Sequence, residues 1–401
     1  MLIVQKFGGS SVANAERIRR VAGIIAAAHA VGDSPVVVLS ARGDTTDALL
    51  DNAGEITKKP QRRELDVLLS TGELGSVALM AMQLHSMGLD CVSLSGRQAG
   101  IFTDCVHGSA RILNISTDRL HRELKAGKIV LVAGFQGINE NDDVTTLGRG
   151  GSDTTAVAIA ASLRADLCQI YTDVDGVYTA DPRLVDGARK LDAITYDEML
   201  ELATLGAQVL HNRSVEMAKK YNVDLEVVSS FTRNPGTKVK EGSNMEKMIV
   251  SGVARDNKCA RVAVINLPDE PGFAFKVFSI LAKNKINVDI ILQSVGRDNK
   301  KTISFTVNQD DAERTRQILM DNKDLLRFED VSVNTGVAKV SIVGAGMASN
   351  PGVAATMFEA LAAAQINIRM ISTSEIKISV LINEEDSDRA VRAIHDKFFN
   401  N

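Results

Sequence analysis

The stretches PGFAFKVFSILAKNKINVDIILQS (271–294) and PGVAATMFEALAAAQINIRMISTS (351–374) align without a gap at an offset of 80 residues, and ten of their 24 positions are identical. A match of this kind at a fixed period marks a duplicated structural unit. Each copy carries the same signals in the same order. A strand (RVAVINL or KVSIVGA) runs into a Pro-Gly turn and an apolar helix pattern. An INV or INI strand, a second alternating strand (KTISFTVN or IKISVLIN) and a second helix follow. With FEDVSVN (328–334) closing the first copy, the order is the βαββαβ, ferredoxin-like plan. Neither copy offers a nucleophile, a base or a metal-ligand spacing, so the pair reads as a sensing or assembly module.

Ahead of the repeat the chain alternates between two textures. Short runs rich in Val and Ile read as strands buried on both faces: LIVQKF (2–7), PVVVLSA (35–41), CVSLSG (91–96), KIVLVAGF (128–135), LCQIYTDV (167–174) and LEVVSS (225–230). Between them, stretches such as AERIRRVAGIIAAAHA (15–30) and TTAVAIAASLRA (154–165) have helical spacing. The expected fold is therefore α/β, a mainly parallel sheet sandwiched by helices, with ligands at the carboxyl ends of the strands. The polar RNPGTKVKEGSN (233–244) reads as a domain edge. The expected domains are 1–235, a linker at 236–260 that can lend a strand to the repeats, and the two copies at 261–336 and 337–401.

Composition narrows the function classes. A net charge of −4 with scattered Lys and Arg speaks against nucleic acid as the partner, and the absence of Trp speaks against base-stacking platforms. No apolar run approaches the roughly 20 residues that span a bilayer. Lys6 and the glycines after it interrupt any leader-like pattern. Cys91, Cys105, Cys168 and Cys259 form no CxxC pair, so zinc, redox and disulfide frameworks have no support. The expected setting is the cytoplasm, without membrane or nucleic acid.

Three glycine- or acid-rich clusters carry the chemistry. In KFGGSS, Lys6 ends the first strand and Gly8, Gly9 and Ser10 follow; this is an anion nest beside a positive charge, or a tight strand–helix turn with a surface lysine. In TLGRGGSDTTA (146–156), three glycines and Arg149 precede Ser152 and Asp153 at a helix start. Either Ser152 or Asp153 simply caps the helix there, or the helix end is an anion site that Arg149 equips to grip a carboxylate; three glycines and an arginine favour the site. YTDVDGVYTADPR (171–183) is an acidic strand end suited to a nucleotide or Mg²⁺, or an Asp-Gly turn. SARGDTTD (40–47) and STGELGS (70–76) add Ser, Thr and Glu73 at similar positions. Together the clusters favour phosphoryl transfer, which needs positioning and charge neutralisation more than covalent chemistry.

KFGGSS, SARGDTTD, GRGGSDTTA and YTDVDGVYTADPR, in this order, resemble the aspartokinases of the amino-acid kinase superfamily, and the paired repeats resemble their two ACT domains. The resemblance implies transfer from ATP, with Mg²⁺, to L-aspartate, giving 4-phospho-L-aspartate at the head of lysine, threonine and methionine synthesis. It implies that Lys6, Gly8, Gly9, Ser10, Thr172, Asp173, Tyr178 and Arg183 hold the nucleotide, and that no protein ligand set for a metal is needed beyond the Mg²⁺ carried by ATP. It implies that Ser40, Thr46, Glu73, Arg149 and Ser152 hold aspartate, with Arg149 on the α-carboxylate and Glu73 on the α-amino group. Asp153 matches the catalytic aspartate. The β-carboxylate of the substrate, with a reference pKa near ~4, is already ionised and needs no base, so Asp153 is expected to orient Lys6 or the metal. For the repeats, the resemblance implies feedback by lysine, threonine or both, contacting Asp269, Ala274, Gln293, Asn367 and Ile368. It also implies a homo-oligomer, or an α₂β₂ assembly with a shorter chain started at Met245 or Met248. A kinase of the same fold with another acceptor, and an amino-acid sensor without catalysis, are the alternatives.

Overall fold

The computed structural model describes residues 1–205, 209–232, 234–242, 248–294 and 299–400. The chain divides into two compact units. The first holds 1–177, 190–203 and 208–244; the second holds 178–189, 204–207 and 245–401.

The first unit is built on an eight-stranded sheet. In spatial order its strands are Ala193–Thr195, Thr237–Lys240, Leu225–Ser229, Leu167–Thr172, Leu2–Phe7, Ser34–Leu39, Ile129–Ala133 and Cys91–Leu94. All neighbours are parallel except Leu225–Ser229 with Thr237–Lys240. Val36, Val37, Val38 and Leu39 are fully buried, as expected of a central strand covered on both faces. Each such side chain contributes about 1.5–3 kcal/mol of burial. Phe7 stacks on Tyr171 of the next strand at 4.4 Å between ring centroids, which fixes the two strand ends side by side. The helix Ala15–Ala30 starts at Asn14, whose side chain accepts from the Arg17 N–H, and turns Ile18, Val21, Ala22 and Ile25 inward.

Several expectations are corrected here. Within 236–260, Gly252–Asp256 pairs with the second repeat copy, while Thr237–Lys240, which had no place in the expected strands, joins the large sheet. A second, four-stranded sheet of Ile112–Ile115, Ile101–Thr103, Gln136–Ile138 and Val144–Thr146 has no counterpart in the sequence reading, because strands of three or four residues leave too short a pattern. One helix among the described residues, Arg62–Ser86, is long and apolar enough to cross a membrane by length and composition. Its apolar residues are interleaved with Ser, Thr and Gly, so no continuous run advertises it. In the first unit it packs against Cys91–Leu94, Ile129–Ala133 and the helix Ala15–Ala30, with Asp66 and Glu73 buried.

In the second unit both copies adopt the expected plan. The first has strand order Ile291–Ser294, Lys300–Asn308, Cys259–Pro268, Asp330–Asn334, all antiparallel. In the second, Gly252–Asp256 takes the closing-strand place beside Val337–Val343, Lys377–Asn383 and Met370–Thr373. The INV and INI segments are not themselves strands; the strands begin at Ile291 and Met370. A buried cluster of Cys259, Ile290, Val337, Met370 and Leu381 joins the copies. Beside it buried Lys339 meets Asp289 and, at 3.6 Å, Asp256.

Candidate active site

The carboxyl ends of the central strands open into a cleft of about 980 Å³. Lys6, Gly8 and Gly9 reach it from the first strand, Ser40 and Thr46 from the second strand and the helix after it. Glu73 comes from the helix Arg62–Ser86, and Arg149, Ser152 and Asp153 from the turn into the helix Gly151–Leu163. Segments from four parts of the chain thus converge, as expected of a parallel sheet.

At the floor, the Lys6 ammonium lies 2.6 Å from Asp153 Oδ1, with both side chains largely buried. Gly9 opens a short 3₁₀ turn, Gly9–Val12, where the first backbone donors lack intrahelical partners. A Cβ there would sit 2.7 Å from the Ala41 carbonyl, so only glycine permits this approach. Gly148 and Gly150, on either side of exposed Arg149, are both left-handed, at φ +76° and +67°. The helix they introduce is buried on nearly all sides, which holds Ser152 and Asp153 in place.

Glu73 is only 3% exposed. Its Oε1 accepts from the Ala41 N–H at 3.1 Å, while Oε2 has no hydrogen-bond partner. Burial pushes the carboxyl up to about 7, with the Ala41 N–H opposing. A buried carboxylate with one unused oxygen facing a cleft is suited to an incoming cation. Among the described residues no group of three or more His, Cys, Asp or Glu is arranged to hold a metal.

The other expected nucleotide residues lie elsewhere. Ser10 is exposed outside the cleft lining, and its carbonyl accepts from Arg17. Thr172 ends the strand next to Lys6 and Asp173 follows it; the two are joined, Thr172 Oγ1 donating to Asp173 at 3.1 Å. Tyr178 and Arg183 belong to the second unit, where Arg183 makes a two-point ion pair with Asp181. This segment leaves the first unit because its apolar residues Ala180, Leu184, Val185 and Ala188 join the core of the second copy. Of the expected effector residues, Asp269 is paired with Lys301 at 3.1 Å, Ala274 packs on the core of the first copy, and Gln293 sits on the strand Ile291–Ser294. Asn367 is exposed, and Ile368 packs against the core of the second copy. Met245 lies outside the described residues; Met248 is described.

Sequence reasoning missed Asp47, Arg62 and Asp66, which also line the cleft. The signal for Asp66 was a carboxylate inside an otherwise apolar helix pattern, RELDVLLS.

Comparison with known proteins agrees with this architecture. The amino acid kinase family matches residues 1–229, and an ACT domain family matches 262–322 and 340–398. An aspartokinase of Bacillus sp. (strain MGA3) is 52% identical over 398 residues, 99% of this chain and 97% of that protein. The solved structure of E. coli aspartokinase III in complex with aspartate and ADP, in the R-state, is similar with a TM-score of 0.84. It is 28% identical and covers 100% of both chains. The same enzyme in complex with lysine and aspartate, in the T-state, has a TM-score of 0.76 at 28% identity, covering 99% of each chain. The chain belongs to the aspartokinases, the aspartate kinases of the amino acid kinase family that carry ACT domains after the kinase domain.

Proposed function

We propose that the cleft transfers the γ-phosphoryl group of ATP to the β-carboxylate of L-aspartate and that each lining residue has a defined part in it. The observation that carries this reading is the Lys6–Asp153 ion pair in a cleft that also gathers Arg149 and the half-satisfied Glu73. A carboxylate oxygen of aspartate forms the new P–O bond, and the bond between the γ-phosphorus and the bridging oxygen breaks with its electron pair leaving on ADP. No proton moves in that step, because the acceptor is already ionised. Lys6, with the donors of Gly8, Gly9 and Ser10, neutralises charge on the transferring group, and Asp153 aims Lys6. Arg149 takes the α-carboxylate through parallel bonds, Glu73 takes the α-ammonium, and Ser40, Thr46 and Ser152 supply hydrogen bonds. Thr172 and Asp173, at the end of the strand beside Lys6, contact the nucleotide.

Mg²⁺ would come with the ATP phosphates, and Asp153, the carboxylate beside Lys6 in the cleft, would help to hold it, since Mg²⁺ in such sites takes one or two carboxylates plus phosphate oxygens. When bound, it neutralises phosphate charge.

The ACT pair binds lysine, threonine or both as feedback effectors, at Asp269, Ala274, Gln293, Asn367 and Ile368. The lysine complex of E. coli aspartokinase III in its T-state supports this. Because Asp269 is held by Lys301, an effector's α-ammonium competes with that lysine. The effector acts through unequal affinity for the active and inactive states. The enzyme works in the cytoplasm as a homo-oligomer, or with a shorter chain started at Met245 or Met248.

The test is a hydroxylamine trap. Protein, MgATP and L-aspartate should yield the hydroxamate of the acyl phosphate, and lysine with threonine should suppress it. Hydroxamate from glutamate in place of aspartate would overturn the assignment of the acceptor.

A further inference from the structure

Two charged side chains that no part of the reaction uses hold the loop bearing Arg149. Asp66, on the helix Arg62–Ser86, is 1% exposed. Its Oδ2 accepts from the N–H groups of Gly108, at 3.0 Å, and Thr146, at 3.1 Å, and lies 2.9 Å from His107 Nδ1. Its Oδ1 accepts from Thr146 Oγ1 at 2.6 Å. Both oxygens are thus engaged by the protein itself, although Asp66 borders the cleft.

Arg213, on the helix Asn212–Tyr221, approaches the same two segments. Nη1 donates to the Leu147 carbonyl at 3.0 Å and Nη2 to the Ala110 carbonyl at 2.8 Å. The segments also bond to each other, Ala110 N–H donating to the Thr146 carbonyl at 2.9 Å. A carboxylate and a guanidinium from separate helices therefore stitch 108–110 to 146–147, directly before Gly148.

The need for such a clamp follows from the loop itself. Glycines flank Arg149 on both sides, and glycine visits left- and right-handed backbone with equal ease. The local sequence leaves the direction of Arg149 free, so it must be set from outside. We propose that Asp66 and Arg213 are positioning residues that aim Arg149 at the α-carboxylate of the amino-acid substrate. This rests on the reading of Arg149 given above.

The experiment measures kcat and the KM values for aspartate and ATP in Arg149→Met, Arg213→Met, Arg213→Lys, Asp66→Ala and Asp66→Asn, with a thermal melt of each. Misplacing one binding group by about 1 Å costs up to ~100-fold. Arg213→Met and Asp66→Ala should raise the aspartate KM about tenfold or more, with the ATP KM within about twofold, because the lost interaction is uniform binding of one substrate. Asp66→Asn keeps an acceptor for the backbone donors and should stay within about threefold of wild type. Arg213→Lys keeps one of the two carbonyl bonds and should fall between wild type and Arg213→Met. An unchanged aspartate KM in Arg213→Met and Asp66→Ala, or equal rises in both KM values, overturns the clamp. If Arg149→Met itself leaves the aspartate KM unchanged, the reading of Arg149 fails instead. Should Arg213→Met or Asp66→Ala not melt cooperatively, Arg213→Lys decides: an aspartate KM equal to wild type overturns the clamp, and a selective rise sustains it.

Discussion

Replacing Glu73 by Gln should make the kinase unit more stable above neutrality and flatten its response to pH. In the folded protein, burial raises this carboxyl from 4.5 to about 7. Between those values the folded chain holds a proton that the unfolded chain has released, so stability falls as pH rises through the window. The cost is about 1 kcal/mol at pH 5 and about 3 kcal/mol at pH 8, at roughly 1.4 kcal/mol per pK unit. Gln keeps an acceptor for the Ala41 N–H and never ionises. The stability gap between variant and wild type should therefore widen by about 2–3 kcal/mol from pH 5 to pH 8. In a domain of this size that is ~5–10 °C in melting temperature. The assay is a set of thermal melts at fixed ionic strength across pH 5–8, following the transition of the kinase unit. A gap that stays level, or narrows with rising pH, would refute the claim that Glu73 is buried at an energetic cost awaiting a cation. Activity should move the other way, with a higher aspartate KM in Glu73→Gln.

Asp153→Asn should lower kcat by about 100-fold or more by releasing Lys6 from its ion pair, at the scale of one lost transition-state contact. Its pH–rate profile should keep any inflection near neutrality, because that inflection belongs to Glu73; its disappearance would mean Asp153 is a base. Gly150→Ala should cost roughly 2–4 kcal/mol, read by denaturant melts. The position is left-handed, and a Cβ would meet the His211 ring at 2.2 Å; His211→Ala in the same chain should recover only the steric part. Asp269→Asn should raise the lysine or threonine concentration for half-inhibition severalfold with uninhibited turnover unchanged, and an unchanged inhibition curve would remove Asp269 from the effector site.

Much of this was legible because strand ends announce themselves. Lys6-Phe7-Gly8-Gly9 and Gly148-Arg149-Gly150-Gly151 break apolar patterns with residues that a turn alone does not need, and both line one cleft. Asp66 showed only as a carboxylate in an apolar helix pattern and Arg213 left no trace, since most of their partners are backbone groups 42 to 103 residues away. Backbone atoms carry no sequence signature. Tyr178 and Arg183 were read with the acidic end of the strand Leu167–Thr172, yet Ala180, Leu184, Val185 and Ala188 carry that segment into another core. The ferredoxin-like copies were readable from their period; the strand completing the second copy lies before the first, in the stretch expected to lend one, but no repeat marks its bounds or which copy it joins.

The segment Tyr178–Arg189 has a consequence for any regulatory chain made separately. A chain begun at Met248 retains Gly252–Asp256 and so completes both four-stranded sheets. It lacks Ala180 and Val185, which fill the core of the second copy, and Thr179, whose hydroxyl lies 2.8 Å from Nε2 of fully buried His395. Losing a buried side chain such as Val185 forfeits about 1.5–3 kcal/mol and bares the apolar surface it covered. Such a short chain would be whole in its hydrogen-bonded framework but would have an empty socket, filled in this chain by Tyr178–Arg189. On such a chain the bared apolar floor of that core is the surface against which a segment shaped like Tyr178–Arg189 packs.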